Sequence, residues 1–298
     1  MAFSLTKRSD RQYRGRFAPS PSGLLHFGSL IAALASYLDA KSNQGSWLVR
    51  IEDIDPPREQ EGASKSILKT LESYGLYWDE SVLYQSSQSA LYDQVLSELQ
   101  EQSLSYFCQC TRAEIKAIGG IYQGHCKTLS LPEHTSSIRV VNQFGIHQYN
   151  DLIQGQVQCD AQIAKEDFIV KRKDGLYAYQ LAVVVDDSFQ GVNHVIRGCD
   201  LLEPTARQLT LFNTFAIEPP QYGHFPLAVS HQGYKLSKQN KAPAIDLDNP
   251  RPSLIQALKF LGQQPPSELL YCSIEEIVAW GVDHWDINNI PKQQEIQL

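Results

Sequence analysis

The chain has 298 residues, 42% apolar and 20% charged, enough for one large globular domain with small additions. A net charge of −7 excludes a protein that coats nucleic acid indiscriminately, while leaving room for a confined basic face such as Lys171, Arg172 and Lys173, equally readable as a solvated hairpin end. Residues 1–14 are polar and the apolar run 181–185 stops at Asp186 and Asp187, so we expect a cytoplasmic chain without a membrane partner, a monomer by default, whose six cysteines are reduced thiols or metal ligands.

Arg16, Phe17 and Ala18 read as the end of a buried strand, followed by the turn Pro19-Ser20-Pro21-Ser22-Gly23. Apolar positions then recur at three- and four-residue spacing over 25–40, which predicts a helix. Residues 47–51 read as a second strand ending in Glu52, Asp53 and Asp55, and helices are expected at about 58–75 and 86–102. Strand, crossover helix and strand make a parallel sheet. Over 106–165 the helical period fades, cysteines cluster, and short strands such as 137–141 alternate with turns, which reads as an insertion. The α/β texture resumes with a strand at 168–172, a helix at about 178–188, a strand at 192–197, a helix at 203–216 and a strand at 225–229. Residues 241–298 look helical. The expected division is therefore a first half of a catalytic domain at 14–105, an insertion at 106–165, the second half at 166–240 and a helical end piece at 241–298.

Gly23-Leu24-Leu25-His26-Phe27-Gly28-Ser29 lies where a strand turns into a helix, a place that offers unpaired backbone N–H groups and a positive helix end to phosphate. His26 can donate to a phosphate oxygen, although a histidine at a helix start also serves as a cap. Lys235-Leu236-Ser237-Lys238-Gln239 stands in a polar stretch after the last strand, and two lysines three apart suit a loop that closes over phosphates. Cys108-Gln109-Cys110 and Cys126, with Tyr122 and His125 nearby, offer soft ligands at close spacing, and zinc takes four such ligands in a tetrahedron. Composition favours His125 as the fourth. Cys159, Cys199 and Cys272 have no ligand-like spacing.

The run from Arg16 through Gly28 resembles the opening signature of glutamyl- and glutaminyl-tRNA synthetases, its last part being their version of the class I HIGH motif. Lys235 to Gln239 is similar to their KMSKS loop, and the segments from Tyr179 to Asp187 and from Val195 to Leu201 look like two further blocks of the same core. Ser29 stands where the motif name has its second histidine, and Gln239 replaces the usual last residue of the loop. The resemblance implies an α/β fold, a Rossmann-type doubly wound parallel sheet with a zinc-binding insertion and a small C-terminal helical region resembling a stem-contact domain. It implies ATP with Mg²⁺ and L-glutamate as ligands. His26 and Lys238 would stabilise charge on the reacting phosphate. His26, Gly28, Ser29, Lys235, Ser237 and Lys238 would bind ATP. Arg16, Phe17, Ala18, Pro19, Ser20, Glu52, Tyr179 and Arg197 would line the amino-acid pocket. Resemblance to the bacterial zinc module points to Cys108, Cys110, Tyr122 and Cys126 as ligands, with Tyr122 rather than His125 completing the set.

Sixty residues follow Lys238, so no anticodon-binding region is expected. That shortness, the Lys-Leu-Ser-Lys-Gln loop and the Cys-x-Cys module together resemble the glutamyl-Q tRNA(Asp) synthetases. Members of that family attach glutamate to the queuosine nucleoside in the anticodon of tRNA(Asp). The same residues leave two rivals, a short glutamyl-tRNA synthetase charging tRNA(Glu) and a catalytically silent RNA-binding paralogue. The presence of Arg16, His26, Glu52 and Lys238 argues against silence.

Overall fold

The computed structural model describes residue 5, residues 12–230 and residues 244–298. Lys235, Ser237 and Lys238 lie outside the described residues. In chain order the first half holds β1 (Arg14–Phe17), α1 (Phe27–Ser42), β2 (Ser46–Ile51), α2 (Ala63–Ser73), β3 (Leu83–Tyr84) and α3 (Ser89–Glu101). Then come β4 (Ser105–Cys108), α4 (Arg112–Ala117), β5 (Ser137–Val140), the hairpin β6 (Gln148–Asp151) and β7 (Gly155–Gln158), the single turn α5 (Ala161–Ala164) and β8 (Ile169–Lys171). The chain continues through α6 (Tyr179–Gln190), β9 (His194–Gly198), α7 (Leu202–Thr214), β10 (Gln221–Phe225) and β11 (Leu227–Val229). It closes with α8 (Arg251–Phe260), α9 (Ile274–Asp283) and β12 (Glu295–Gln297).

The expected parallel sheet is present. β3, β2 and β1 run parallel with Arg16 opposite Leu48, and β9 runs parallel to β10 with Arg197 opposite His224. β9 lies beside β1, where Asn193 N donates to Arg14 O at 3.0 Å and Arg14 N to Asn193 Oδ1 at 2.7 Å. The order is thus β3-β2-β1-β9-β10, and the winding reverses between β1 and β9. In such sheets ligands bind beyond the carboxyl ends of the strands at that reversal.

α1 is buried along nearly every face, because the sheet covers one side and α8 and α9 cover the other. A helix apolar all round needs such a sandwich. Gly281 of α9 makes the close approach possible: a Cβ there would lie 3.0 Å from Leu38. Asp39, buried inside this apolar helix, is satisfied by Tyr13 OH and by Trp285 Nε1 at 2.8 Å. The second layer holds α6 and α7. Leu181, Ala182, Val183, Val184 and Val185 pack there with Val95, Leu99, Val170, Leu211 and Phe212.

Four expectations are corrected. The helix expected at 58–75 starts at Ala63, because Pro56–Arg58 form a 3₁₀ turn and Gly62 precedes α2 in a left-handed conformation (φ 75°). The strand expected at 225–229 is two strands divided by Pro226, whose missing N–H cannot continue a ladder. The strand expected at 168–172 to resume the parallel sheet instead pairs antiparallel with β5, which pairs with β4. Finally, the C-terminal region is not wholly helical: β12 returns to pair parallel with β11, Leu227 opposite Glu295. No helix among the described residues is long and apolar enough to cross a membrane.

Candidate active site

Side chains alternate across a strand, and here alternation sorts function from core. Phe17, Trp47, Val49, Ile51, Ile196 and Phe225 join the core on the α1 side. Arg16, Arg50, Arg197 and His224 take the opposite face, under α6 and α7, where Asp187, Thr205 and Gln208 bond them. Three arginines on one buried sheet face require anions or strong acceptors.

Asp187 of α6 is the shared acceptor. Arg50 Nη1 reaches its Oδ1 at 2.7 Å, and Arg16 Nε and Nη2 reach its two oxygens at 3.3 and 3.4 Å. Arg50 also lies 3.6 Å from Glu52 and 3.8 Å from Asp186, whose Oδ2 accepts from Gln85 and Tyr92 at 2.7 and 2.8 Å. Burial alone would raise the Asp187 pKa, but the Arg16 and Arg50 guanidinia outweigh it and hold the carboxyl below its usual range. At Asp186 burial wins over Arg50 and the hydrogen bonds, lifting the pKa to about 6. Burial likewise raises Glu52 against Arg50 and Arg16. Two guanidinium groups facing three carboxyl groups leave one anion without a matching cation. A ligand ammonium group fits that place.

Arg197 is held from the other side. Its Nη2 donates to Thr205 Oγ1 at 2.6 Å and Gln208 Oε1 at 2.8 Å, both on α7, and its Nε donates to His224 Nε2 at 3.0 Å. His224 therefore carries its proton on Nδ1, which faces Asp151 Oδ2 at 2.5 Å. Burial, reinforced by Arg197 and opposed by Asp151, lowers the His224 pKa to about 4 and keeps the ring neutral. Asp151 also accepts from His224 N at 3.0 Å. It comes from the β6–β7 hairpin, so a segment read as part of an insertion orients an arginine of the sheet.

Tyr179 opens α6 and, with Ser20, Ser22, Glu52, Asp55 and Arg172, lines a cavity of about 290 Å³. Glu52 N donates to Pro19 O at 3.0 Å, which fixes the turn after β1 against the end of β2. Phe17, an expected pocket residue, turns its ring to the opposite face beside Trp47, away from this cavity. Arg16, also expected in the pocket, is buried and engaged by Asp187.

His26 caps α1 with extended backbone (φ −115°, ψ 176°), and no acidic side chain occupies the first turn. Gly28 and Ser29 thus present N–H groups at an uncompensated positive helix end. Ala244, where the described chain resumes after residue 230, bridges to His26 as an antiparallel partner.

Cys108, Cys110 and Cys126 bring their sulfurs within 4.8 Å of one another, and this group can hold a metal ion. Tyr122 packs in the same cluster and its hydroxyl accepts from Cys126 N at 2.8 Å, whereas His125 is exposed. Arg139 Nε donates to Cys108 Sγ at 3.2 Å with its guanidinium over the Tyr122 ring at 3.7 Å, a cation placed against the sulfur cluster.

The family described as tRNA synthetases class I (E and Q), catalytic domain, matches residues 12–289. A glutamyl-Q tRNA(Asp) synthetase of Colwellia psychrerythraea is 62% identical over 298 residues, covering 96% of this chain and 95% of that protein. The chain belongs to the glutamyl-Q tRNA(Asp) synthetase family. Its Escherichia coli K12 relative is 53% identical over 290 residues, covering 97% of this chain and 94% of the relative. The fold is similar to a glutamate tRNA ligase from Elizabethkingia meningosepticum crystallised with its amino acid (TM-score 0.79, 26% identity, 96% of this chain and 67% of that one). The chain is accordingly a ligase-type enzyme built on a class I synthetase catalytic fold.

Four functional features escaped the sequence. Arg50 had a signal, a cation inside an otherwise apolar strand, and Asp187 had one too, the second of two charges behind a run of five apolar residues. Asp151 and His224 stand 73 positions apart, and nothing local joins them.

Proposed function

We propose that this enzyme activates L-glutamate with ATP and transfers the glutamyl group to the queuosine nucleoside of tRNA(Asp). A glutamate carboxylate oxygen attacks the α-phosphorus and pyrophosphate leaves. A hydroxyl of the acceptor then attacks the acyl carbonyl and AMP leaves. The observation that carries the amino-acid half is the grouping of buried Arg16 and Arg197 with the cavity-lining Glu52 around Tyr179, which presents cations to two carboxylates and an anion to an ammonium group. Tyr179 completes this pocket, with Ala18, Pro19 and Ser20 shaping its wall. Support for the acceptor is the name carried by relatives of nearly the same length.

His26, Gly28 and Ser29 are assigned to the ATP phosphates, together with Lys235, Ser237 and Lys238. Charge builds on phosphate oxygens in the transition state, so preorganised donors matter more than a proton acceptor. Mg²⁺ bound with ATP would neutralise further phosphate charge. We assign zinc to Cys108, Cys110, Cys126 and Tyr122, since the phenol and not the imidazole sits among the sulfurs.

Labelled glutamate offered with ATP and tRNA(Asp), with and without queuosine, tests this reading. Transfer is expected only to the queuosine-bearing RNA. Charging of tRNA(Glu), unaffected by queuosine, would overturn the acceptor assignment.

A further inference from the structure

Arg197 Nη1, Gln208 Nε2 and Tyr222 OH are buried donors with no hydrogen-bond partner among the described residues. All three belong to one contiguous group. Gln208 Oε1 accepts from Arg197 Nη2 at 2.8 Å, and the Arg197 guanidinium lies over the Tyr222 ring at 4.8 Å. The three side chains are 1–4% exposed, so bulk water cannot serve them. Leaving one buried donor unpaired is costly, and three side by side imply an acceptor that arrives from outside.

Tyr222 is the informative member. It stands on β10, two residue pairs before the Arg197–His224 match and so on the same face of the sheet, and its ring stacks near His224 (centroids 6.1 Å apart, planes 14° apart). From there its hydroxyl falls within the electrostatic reach of Arg197, Asp187, Arg16 and Tyr179, the group that frames the amino-acid pocket. Asp187 is taken up by the two arginines and the Tyr222 hydroxyl does not bond it. An incoming carboxylate carries about four lone-pair sites, which suits several converging donors.

We propose that Tyr222 is a further ligand-contacting residue of the amino-acid site, its hydroxyl donating to the substrate carboxylate that Arg197 receives. The proposal rests on the glutamate reading above. It also accounts for the cradle around Arg197: Asp151 and His224 hold the guanidinium from behind while Tyr222 supports its face.

Tyr222→Phe keeps the ring and the cation–π contact and removes only the hydroxyl. The test is glutamate-dependent ATP–pyrophosphate exchange, run beside thermal melting of the free protein. Loss of a hydrogen bond to a charged group should raise KM for glutamate by about tenfold or more, with kcat within about twofold and KM for ATP unchanged. The free variant should melt no lower than wild type, since an unpaired hydroxyl stabilises nothing, but glutamate should raise its melting temperature less. An unchanged KM in the variant overturns the proposal, and so does a variant that melts lower or fails to fold, because the hydroxyl then has a structural partner. Wild-type protein that shows no exchange with glutamate would instead overturn the reading on which this rests.

Discussion

Arg50 Nη1 donates to Asp187 Oδ1 at 2.7 Å in a place from which solvent is almost wholly excluded. Arg50 is 0% exposed and also bonds Gln190 at 3.0 Å, so one guanidinium joins β2 to the last turns of α6. Replacing it by Met leaves Asp187 and Asp186 buried with less countercharge. Arg50→Met should lose about 3–5 kcal/mol of unfolding free energy in urea. A loss below about 1 kcal/mol, the range of surface pairs, would show that the carboxyl groups do not depend on Arg50.

His224 should impose a pH dependence on stability. Its folded pKa of about 4 lies below the ordinary 6.5, because burial disfavours the charged ring. The stabilisation is therefore complete above pH 6.5 and is lost as pH falls toward 4. At full extent that difference is worth about 3 kcal/mol. His224→Gln should give a flatter melting profile between pH 6.5 and 4 than wild type. Asp151, held below its usual range by the same partner despite burial, acts below that window. Parallel profiles for the two proteins would remove His224 as the titrating group.

Metal content should be about one zinc per chain. Cys110→Ser, or a chelator, should abolish hydrogen-exchange protection in β4 and α4 while α1, whose buried residues belong to a different core cluster, keeps its own. A metal-free preparation with normal protection around the cysteines would refute the zinc assignment.

Lys238→Ala should lower kcat for pyrophosphate exchange by about a hundredfold or more while changing KM for glutamate only a few-fold, the signature of an interaction made in the transition state. His26→Ala should follow the same pattern. A rise in KM at constant kcat would limit either side chain to ground-state binding.

Local chemistry made much of this legible. The 25–40 periodicity and the 47–51 strand placed α1 and β2 within two residues of their observed ends, because apolar spacing is dictated by the element that buries it. Arg16, Tyr179 and Arg197 fall within the ordered motif blocks, and Glu52 ends the second strand, which is how the sequence singled them out. The cysteine cluster was legible through spacing, and the resemblance pointed to Tyr122 over His125; in the structure the phenol packs among the sulfurs and the imidazole is exposed.

Other features have no local signature. The antiparallel partnership of β8 with β5 and the return of β12 to β11 join segments far apart in the chain, and pairing energy is not written into either strand alone. The buried role of Asp187 depends on Arg16 and Arg50, 171 and 137 residues away.

By itself the amino-acid order determined which residue types were available, a histidine and glycine at a helix start, an acid behind an apolar strand, three closely spaced thiols and a set of arginines, because those are properties of short windows. Which arginine meets which carboxylate, which histidine stays neutral and which hydroxyl is left without a partner were decided only when the sheet brought distant strands to one dry face. There the cost of an unpaired buried charge or donor, rather than local propensity, selects the arrangement.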